Sequence, residues 1–413
     1  MMRILFATWA WATHYFPMVP LARAFDSADH EVLVASQPAL ADTVLRSGLV
    51  PIPAGEDFDL IGEFQGNPWL MADQRTNPRS APLTWDEAAI RKRRHFIGFF
   101  CRIAELMLDD LLRIARRWQP DLLVWDALTF AAPVVAQACG VPHVRMPWGL
   151  DILGTQPPDL EERLRPQELL DLYARAGQRP AAHLAPWTID ICPPDLQIAN
   201  ESPRLPMRYV PYNGLGGVLP DWLLEPVQAT RRVCVCWGTS TTRFFGPDHY
   251  LVPGILEGLA DYDAEIVVAA TPDQRPLLGE LPANVRVAES LAISALMPSC
   301  SAFIHQGGAG TTLTAAHAGV PQLVVPQVFD QRTDAEQLAG TGAGRFVLGQ
   351  ELTPQSVRRE LDALLADPGY AKNAVRLRDQ LRSLPTPADL VPVLTRFAAD
   401  PAGFAPGTAQ AVH

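Results

Sequence analysis

The 413-residue chain contains no run of about 18 apolar residues, so a membrane-spanning helix is not expected. It does not open on a basic segment, an apolar stretch and a cleavage site, so no secretory signal is expected and the cytoplasm is the expected compartment. Cysteine is scarce. The six residues (Cys101, Cys139, Cys192, Cys234, Cys236, Cys300) show no CxxC spacing, which argues against a disulfide framework or a zinc site and for buried free thiols. Basic residues are in deficit, 34 against 45 acidic ones for a formal net charge of −11, the wrong sign for a nucleic-acid partner. The first strand-to-helix loop, Thr8 to Phe16, has no GxGxxG, which argues against a dehydrogenase. There is no GxxxxGK[ST], no DxD placed to hold a metal and no cluster of histidine and carboxylate, so no metal site is expected.

What is present is the composition of a globular protein, 48% apolar and 19% charged, long enough for two domains of roughly 200 residues. Alternating apolar strands and helices mark a parallel sheet in each half. In the first half the expected elements are strands Arg3 to Ala7, Glu31 to Ala35, Asp121 to Trp125 and His143 to Met146, with helices Pro17 to Phe25, Leu106 to Trp118 and Ala131 to Cys139. The stretch Glu56 to Arg94 has no such pattern; it is either a binding loop or disordered, and its aromatics favour an irregular binding wall. In the second half, strands are expected at Arg232 to Trp237, Glu265 to Ala269, Val285 to Ala288, Ser301 to Ile304 and Leu323 to Val325. The expected fold class is α/β, with two doubly wound Rossmann-like domains facing across a cleft. Their expected limits are 1–213 and 231–400, with a linker at 214–230, a final helix crossing back to the first domain and a flexible tail at 401–413.

Within the second half, Phe303 to Gln331 reads FIHQGGAGTTLTAAHAGVPQLVVPQVFDQ, a strand, a histidine, a glycine loop, a helix and a second strand closed by Asp-Gln. Glycines let the backbone approach a ligand, and the first helical amides, which lack intrahelical partners, present the positive end of the helix dipole to a phosphate. A ligand-free turn is the other reading of the same glycines.

Five segments in order carry a family likeness: His14-Tyr15-Phe16-Pro17-Met18-Val19-Pro20-Leu21-Ala22, Pro120 to Asp126, Tyr209-Val210-Pro211-Tyr212-Asn213-Gly214, Arg231 to Cys236, and His305 to Gln331. With them the chain resembles the GT-B inverting glycosyltransferases, in particular bacterial enzymes that attach deoxysugars to polyketide antibiotics. The resemblance implies an acceptor site in the first domain and a nucleotide-sugar site in the second. It implies that Thr239, Ser240, His305, Gly308, Ala309, Gly310 and Thr311 hold the diphosphate, Ser290 and Leu291 flank the base, and Asp330 with Gln331 binds sugar hydroxyls. No cofactor and no metal are implied beyond the nucleotide sugar itself. His14, at the carboxyl edge of the first strand, is the expected general base, and Asp126 its carboxylate partner.

Ser290 and Leu313 stand where plant-type relatives carry a base-stacking tryptophan and a ribose-binding glutamate, which points to dTDP and a deoxyhexose rather than UDP. Two further departures are Ala292, where many relatives have proline, and Gln306, in place of a second histidine. Trp11, Phe16, Trp69, Trp85 and Trp148 are the expected acceptor wall, suited to a polyketide or other natural product. O- and C-glycoside formation stay open, as do a homodimer and a cytochrome-like activator protein as partners. The alternatives are a UDP-sugar enzyme acting on small lipophilic acceptors, a nucleotide-sugar 2-epimerase and an inactive helper protein.

Overall fold

The computed structural model describes residues 1–67, 85–155, 160–200, 202–214, 216–225, 227, 229–328 and 330–405. A first sheet is built from β1 (Arg3–Ala7), β2 (Glu31–Ser36), β3 (Val50–Pro53), β4 (Leu122–Asp126), β5 (His143–Met146), β6 (Thr188–Asp190) and β7 (Arg204–Pro206). Its spatial order is β3-β2-β1-β4-β5-β6-β7, all parallel. A second parallel sheet contains β8 (Arg232–Cys236), β9 (Glu265–Ala270), β10 (Val285–Glu289), β11 (Ala302–His305), β12 (Gln322–Val324) and β13 (Gly344–Phe346), in the order β10-β9-β8-β11-β12-β13. Every residue of β4 and β11 is buried, as expected of inner parallel strands covered on both faces by helices.

In each sheet the strand order reverses beside the first strand, between β1 and β4 and between β8 and β11, so the loops leaving those strands diverge and open a crevice. Register fixes what meets there. Ala7 lies opposite Trp125, which brings the loop after β1 to Asp126; Cys236 lies opposite His305, which brings Gly238 to Ser240 beside the glycine loop. The two carboxyl edges face each other across one cleft of about 1170 Å³. The last helix, Pro387–Ala399, follows the second sheet in the chain but packs on the helix Val19–Asp26 of the first, with Leu390, Leu394 and Phe397 in the same core as Val19, Ala22 and Phe25.

Several expectations need correction. The helix expected at Leu106 begins at Glu87 and runs to Trp118, so Glu87 to Arg94 is helical rather than irregular. Its first turns read EAAIRKRR and bury only Ile90, too little apolar periodicity to betray a helix; Asp86 starts it by accepting the amide of Ala89 at 2.8 Å. Within the same stretch, Leu60–Gln65 is a second helix capped by Asp59. The strand before the glycine loop ends one residue later than expected, at His305, and this shift bears on the site.

Candidate active site

On the first-domain side, the turn Ala12–Tyr15 after β1 carries His14. Its Nδ1 lies 2.8 Å from Oδ1 of Asp126, the fully buried last residue of β4. Asp126 is itself fixed, because its Oδ2 accepts the Leu128 amide at 3.0 Å and the Thr129 hydroxyl at 3.3 Å. A carboxylate at Nδ1 holds the proton there and leaves the Nε2 lone pair to the cleft, the tautomer a general base needs. The ring is walled by Trp9 (centroids 4.9 Å apart) and Trp148 (4.0 Å).

Across the cleft, Gly308 precedes the helix Ala309–Ala318, and Gly308, Ala309, Gly310 and Thr311 line the cavity together with Thr239 and Ser240. Gly307 adopts φ +92, and a Cβ there would press on Val324 and Gln331, so only glycine lets the chain turn this closely. The first helical hydrogen bond is the Thr312 amide to Gly308 O at 2.9 Å, so the amides of Ala309 to Thr311 have no partner within the helix and are available to an anion. Tyr209, arriving from the segment between the sheets, braces this turn through its hydroxyl to Gly310 O at 3.2 Å.

Asp330 immediately precedes the helix Gln331–Gly340, and its Oδ2 accepts Trp148 Nε1 at 3.2 Å. Burial pushes its carboxyl up from the usual range, with the Trp148 bond opposing. No group of three or more histidine, cysteine or carboxylate side chains suited to a metal gathers among the described residues, and no described helix is long and apolar enough to cross a membrane.

Comparison with known proteins identifies the family. The model for the N-terminal domain of erythromycin biosynthesis protein CIII-like proteins matches residues 23–238, and that for their C-terminal domain matches residues 254–397. The chain belongs to this family. The 10-deoxymethynolide desosaminyltransferase of Streptomyces venezuelae is 40% identical, over 96% of this chain and 97% of that protein. The aclacinomycin-T 2-deoxy-L-fucose transferase of Streptomyces galilaeus is 37% identical, over 97% of each chain. Among solved structures, the glycosyltransferase VinC in complex with dTDP has a TM-score of 0.81 at 33% identity, covering 96% of this chain and all of that one. The chain is thus a GT-B glycosyltransferase of the antibiotic deoxysugar type.

Within this CIII-like glycosyltransferase, the residues expected from sequence divide sharply. His14, Thr239, Ser240, Ser290, Leu291, Gly308 to Thr311, Asp330 and Gln331 line the cleft, with Asp126 directly behind His14. His305 does not, which corrects its expected contact with the diphosphate. It is completely buried, its Nδ1 accepts the Gly307 amide at 3.0 Å, and its Nε2 donates to Gln322 Oε1 at 2.9 Å. Burial lowers its pKa to about 4, so it is a neutral brace beneath the loop and supplies no charge. The neighbouring Gln306, first residue past the strand, lines the cleft instead, with its Oε1 buried and without a partner among the described residues. Strand alternation carries the signal for this exchange: Phe303 and His305 share a face, their rings stack at 4.8 Å, and the next residue turns outward.

Gln331 is also more committed than expected: its Oε1 accepts the amides of Gln327 (2.9 Å) and Val328 (3.1 Å), and its Nε2 donates to Thr241 at 3.1 Å. Leu313 is 1% exposed and does not line the cleft, so the missing carboxylate there says nothing about the ribose. Of the acceptor residues, Trp11, Phe16, Trp85 and Trp148 line the cleft, and Trp69 lies outside the described residues. Phe16 abuts Tyr212 and Gly214 rather than the aromatic wall, which Phe64, Phe96, Phe99, Phe100 and Phe244 complete. Asn213, not singled out from sequence as a contact, lines the cleft, and its Oδ1 has no partner among the described residues.

Proposed function

We propose that the enzyme transfers a deoxyhexose from a dTDP-sugar to a hydroxyl or acidic carbon of a polyketide or similar natural product, with inversion and without a metal ion. The observation that carries this reading is the His14–Asp126 pair at 2.8 Å, whose histidine lines the same cleft as the helix start Gly308 to Thr311. His14 Nε2 removes the acceptor proton as the nucleophile attacks the anomeric carbon, while Asp126 stabilises the imidazolium. The departing diphosphate gathers charge, which in this reading is taken up by the amides of Ala309 to Thr311, the hydroxyls of Thr239, Ser240 and Thr311 and the Gln306 amide, all of them residues that line the cleft. A single displacement, with base and leaving group on opposite sides, inverts the anomeric centre. The aromatic wall matches a broad apolar acceptor. Relatives solved with dTDP, namely VinC and the spinosyn rhamnosyltransferase SpnG (TM-score 0.80, 31% identity), support the choice of donor.

Thermal shift with dTDP, UDP, ADP and NAD in turn tests the donor, since a ligand that binds only the folded state raises the Tm according to its concentration over its Kd. A selective shift with dTDP is expected; a larger shift with UDP overturns the donor assignment.

A further inference from the structure

The loop leaving β5 belongs to the first sheet, yet it touches all three parts of the proposed reaction centre. Trp148 packs its ring 4.0 Å from that of His14, and its indole N–H donates to Asp330 across the cleft at 3.2 Å. The next residue, Gly149, fits so closely against the start of the diphosphate helix that a Cβ there would collide with that of Ala309. The loop cannot easily yield. Asp151 pairs with Arg145 at 2.6 Å with both side chains buried, Arg145 also donates to Thr188, and Asp151 Oδ1 accepts the Gly154 amide at 3.0 Å.

We propose that Trp148 is a positioning residue that sets the register between the two domains, holding the base and the sugar-binding carboxylate at a fixed separation. One side chain meets both groups through different parts: the ring face confines His14, and the N–H orients Asp330. With one Asp330 oxygen taken by Trp148, the other is turned to accept a sugar hydroxyl, so donor binding and base placement depend on the same indole. Gly149 keeps the backbone low enough for the domains to close on this contact. The inference rests on the proposed roles of His14 and Asp330.

The test separates the two functions of the indole. Trp148→Phe keeps a ring beside His14 and removes the N–H; Trp148→Leu removes both. Loss of one hydrogen bond to a charged group corresponds to about a tenfold weakening. For Trp148→Phe the expected result is about a tenfold rise in KM for the dTDP-sugar, a smaller change in kcat, and an unchanged Kd for dTDP alone, because Asp330 faces the sugar and not the nucleotide. Trp148→Leu is expected to lose kcat as well, by at least a further tenfold. A merely structural tryptophan would lower the Tm without this split. An unchanged sugar-nucleotide KM in Trp148→Phe, or equal weakening of dTDP and dTDP-sugar, overturns the proposal. If Trp148→Leu does not fold, Gly149→Ala is the second probe: it is expected to lower kcat with dTDP binding retained, and wild-type kcat overturns the register role. Absence of transfer by the wild-type enzyme from any dTDP-sugar would count against the proposed function instead, so the two failures are distinguishable.

Discussion

Two histidines stand at the carboxyl edges of inner strands, one in each sheet, and their surroundings give them opposite properties. His14 follows β1 by a short loop, meets a carboxylate and keeps one nitrogen toward the cleft; His305 is the last residue of β11, meets a neutral amide and has neither nitrogen free. An imidazole beside a carboxylate can accept a proton and hold it, whereas one enclosed without a counter-charge stays neutral. Location in the fold alone therefore does not assign a role. The partner and the open nitrogen do.

The sharpest way to break the contrast is to remove each ring. His14→Ala is expected to lower kcat by about 10² to 10⁴, the usual contribution of a general base, while the Kd for dTDP stays within a factor of about two. Near-normal turnover with a hydroxyl acceptor would remove His14 as the base.

His305→Ala should divide the other way. Deleting the ring opens a cavity and strands the Gly307 amide and the Gln322 carbonyl, for a loss of about 2–4 kcal/mol in a denaturant titration. Any loss of dTDP affinity should then follow loosening of the glycine loop and not loss of a charge. The pH dependence separates these. The folded-state pKa lies at about 4, below the ordinary 6.5, so this histidine contributes stability that is complete above pH 6.5 and is lost as the pH falls toward 4. His143, also lowered to about 4 by burial, behaves alike. The variant should thus retain an acid-sensitive decline with a shallower slope, by about 1.4 kcal/mol per pH unit for the histidine removed. An unchanged slope would mean that His305 titrates alike in the folded and unfolded chain, so that burial does not hold it neutral, and would restore its case as a phosphate contact.

The same contrast shows what could be read from the chain and what could not. The inner strands were legible because buried parallel strands are short apolar runs, and the helix Ala131–Cys139 and strand His143–Met146 were legible to the residue. The edge strand β3, Val-Pro-Ile-Pro, and the three-residue β6, β7 and β13 carry too little pattern to stand out. The pairing of His14 with Asp126 was legible from strand order, since both leave adjacent strands. The burial of His305 turned on where β11 ends: as the last residue of a strand covered on both faces it is enclosed, whereas one residue beyond the strand it would belong to the loop that borders the cleft. The reach of Trp148 across to Asp330 joins positions 182 residues apart, and no local pattern encodes it.

The smallest expected effect comes from a carboxylate that has what neither histidine has, burial with no hydrogen-bond partner among the described residues. Asp334 is 3% exposed, neither of its oxygens has a hydrogen-bond partner among the described residues, and it faces Gly149, Leu150, Cys192 and Leu196 from the first domain beside Ala309, Thr312 and Leu313 of the second. Burial pushes its pKa well above the carboxylate range and the nearby Asp330 adds to the shift. With the folded pKa raised, the sign is opposite to that of His305: its contribution is most favourable below the unfolded pKa and is lost as the pH rises through the folded one. Asp334→Asn removes that proton linkage while keeping the shape. It is expected to gain about 1–2 kcal/mol at pH 8 and less at pH 5, read as the difference in denaturation midpoint at the two pH values. Equal gains at both would show that the carboxyl is not titrating in that range. A loss at pH 8 would show that the carboxyl is compensated in the folded protein, against the reading of it as a buried group without a partner.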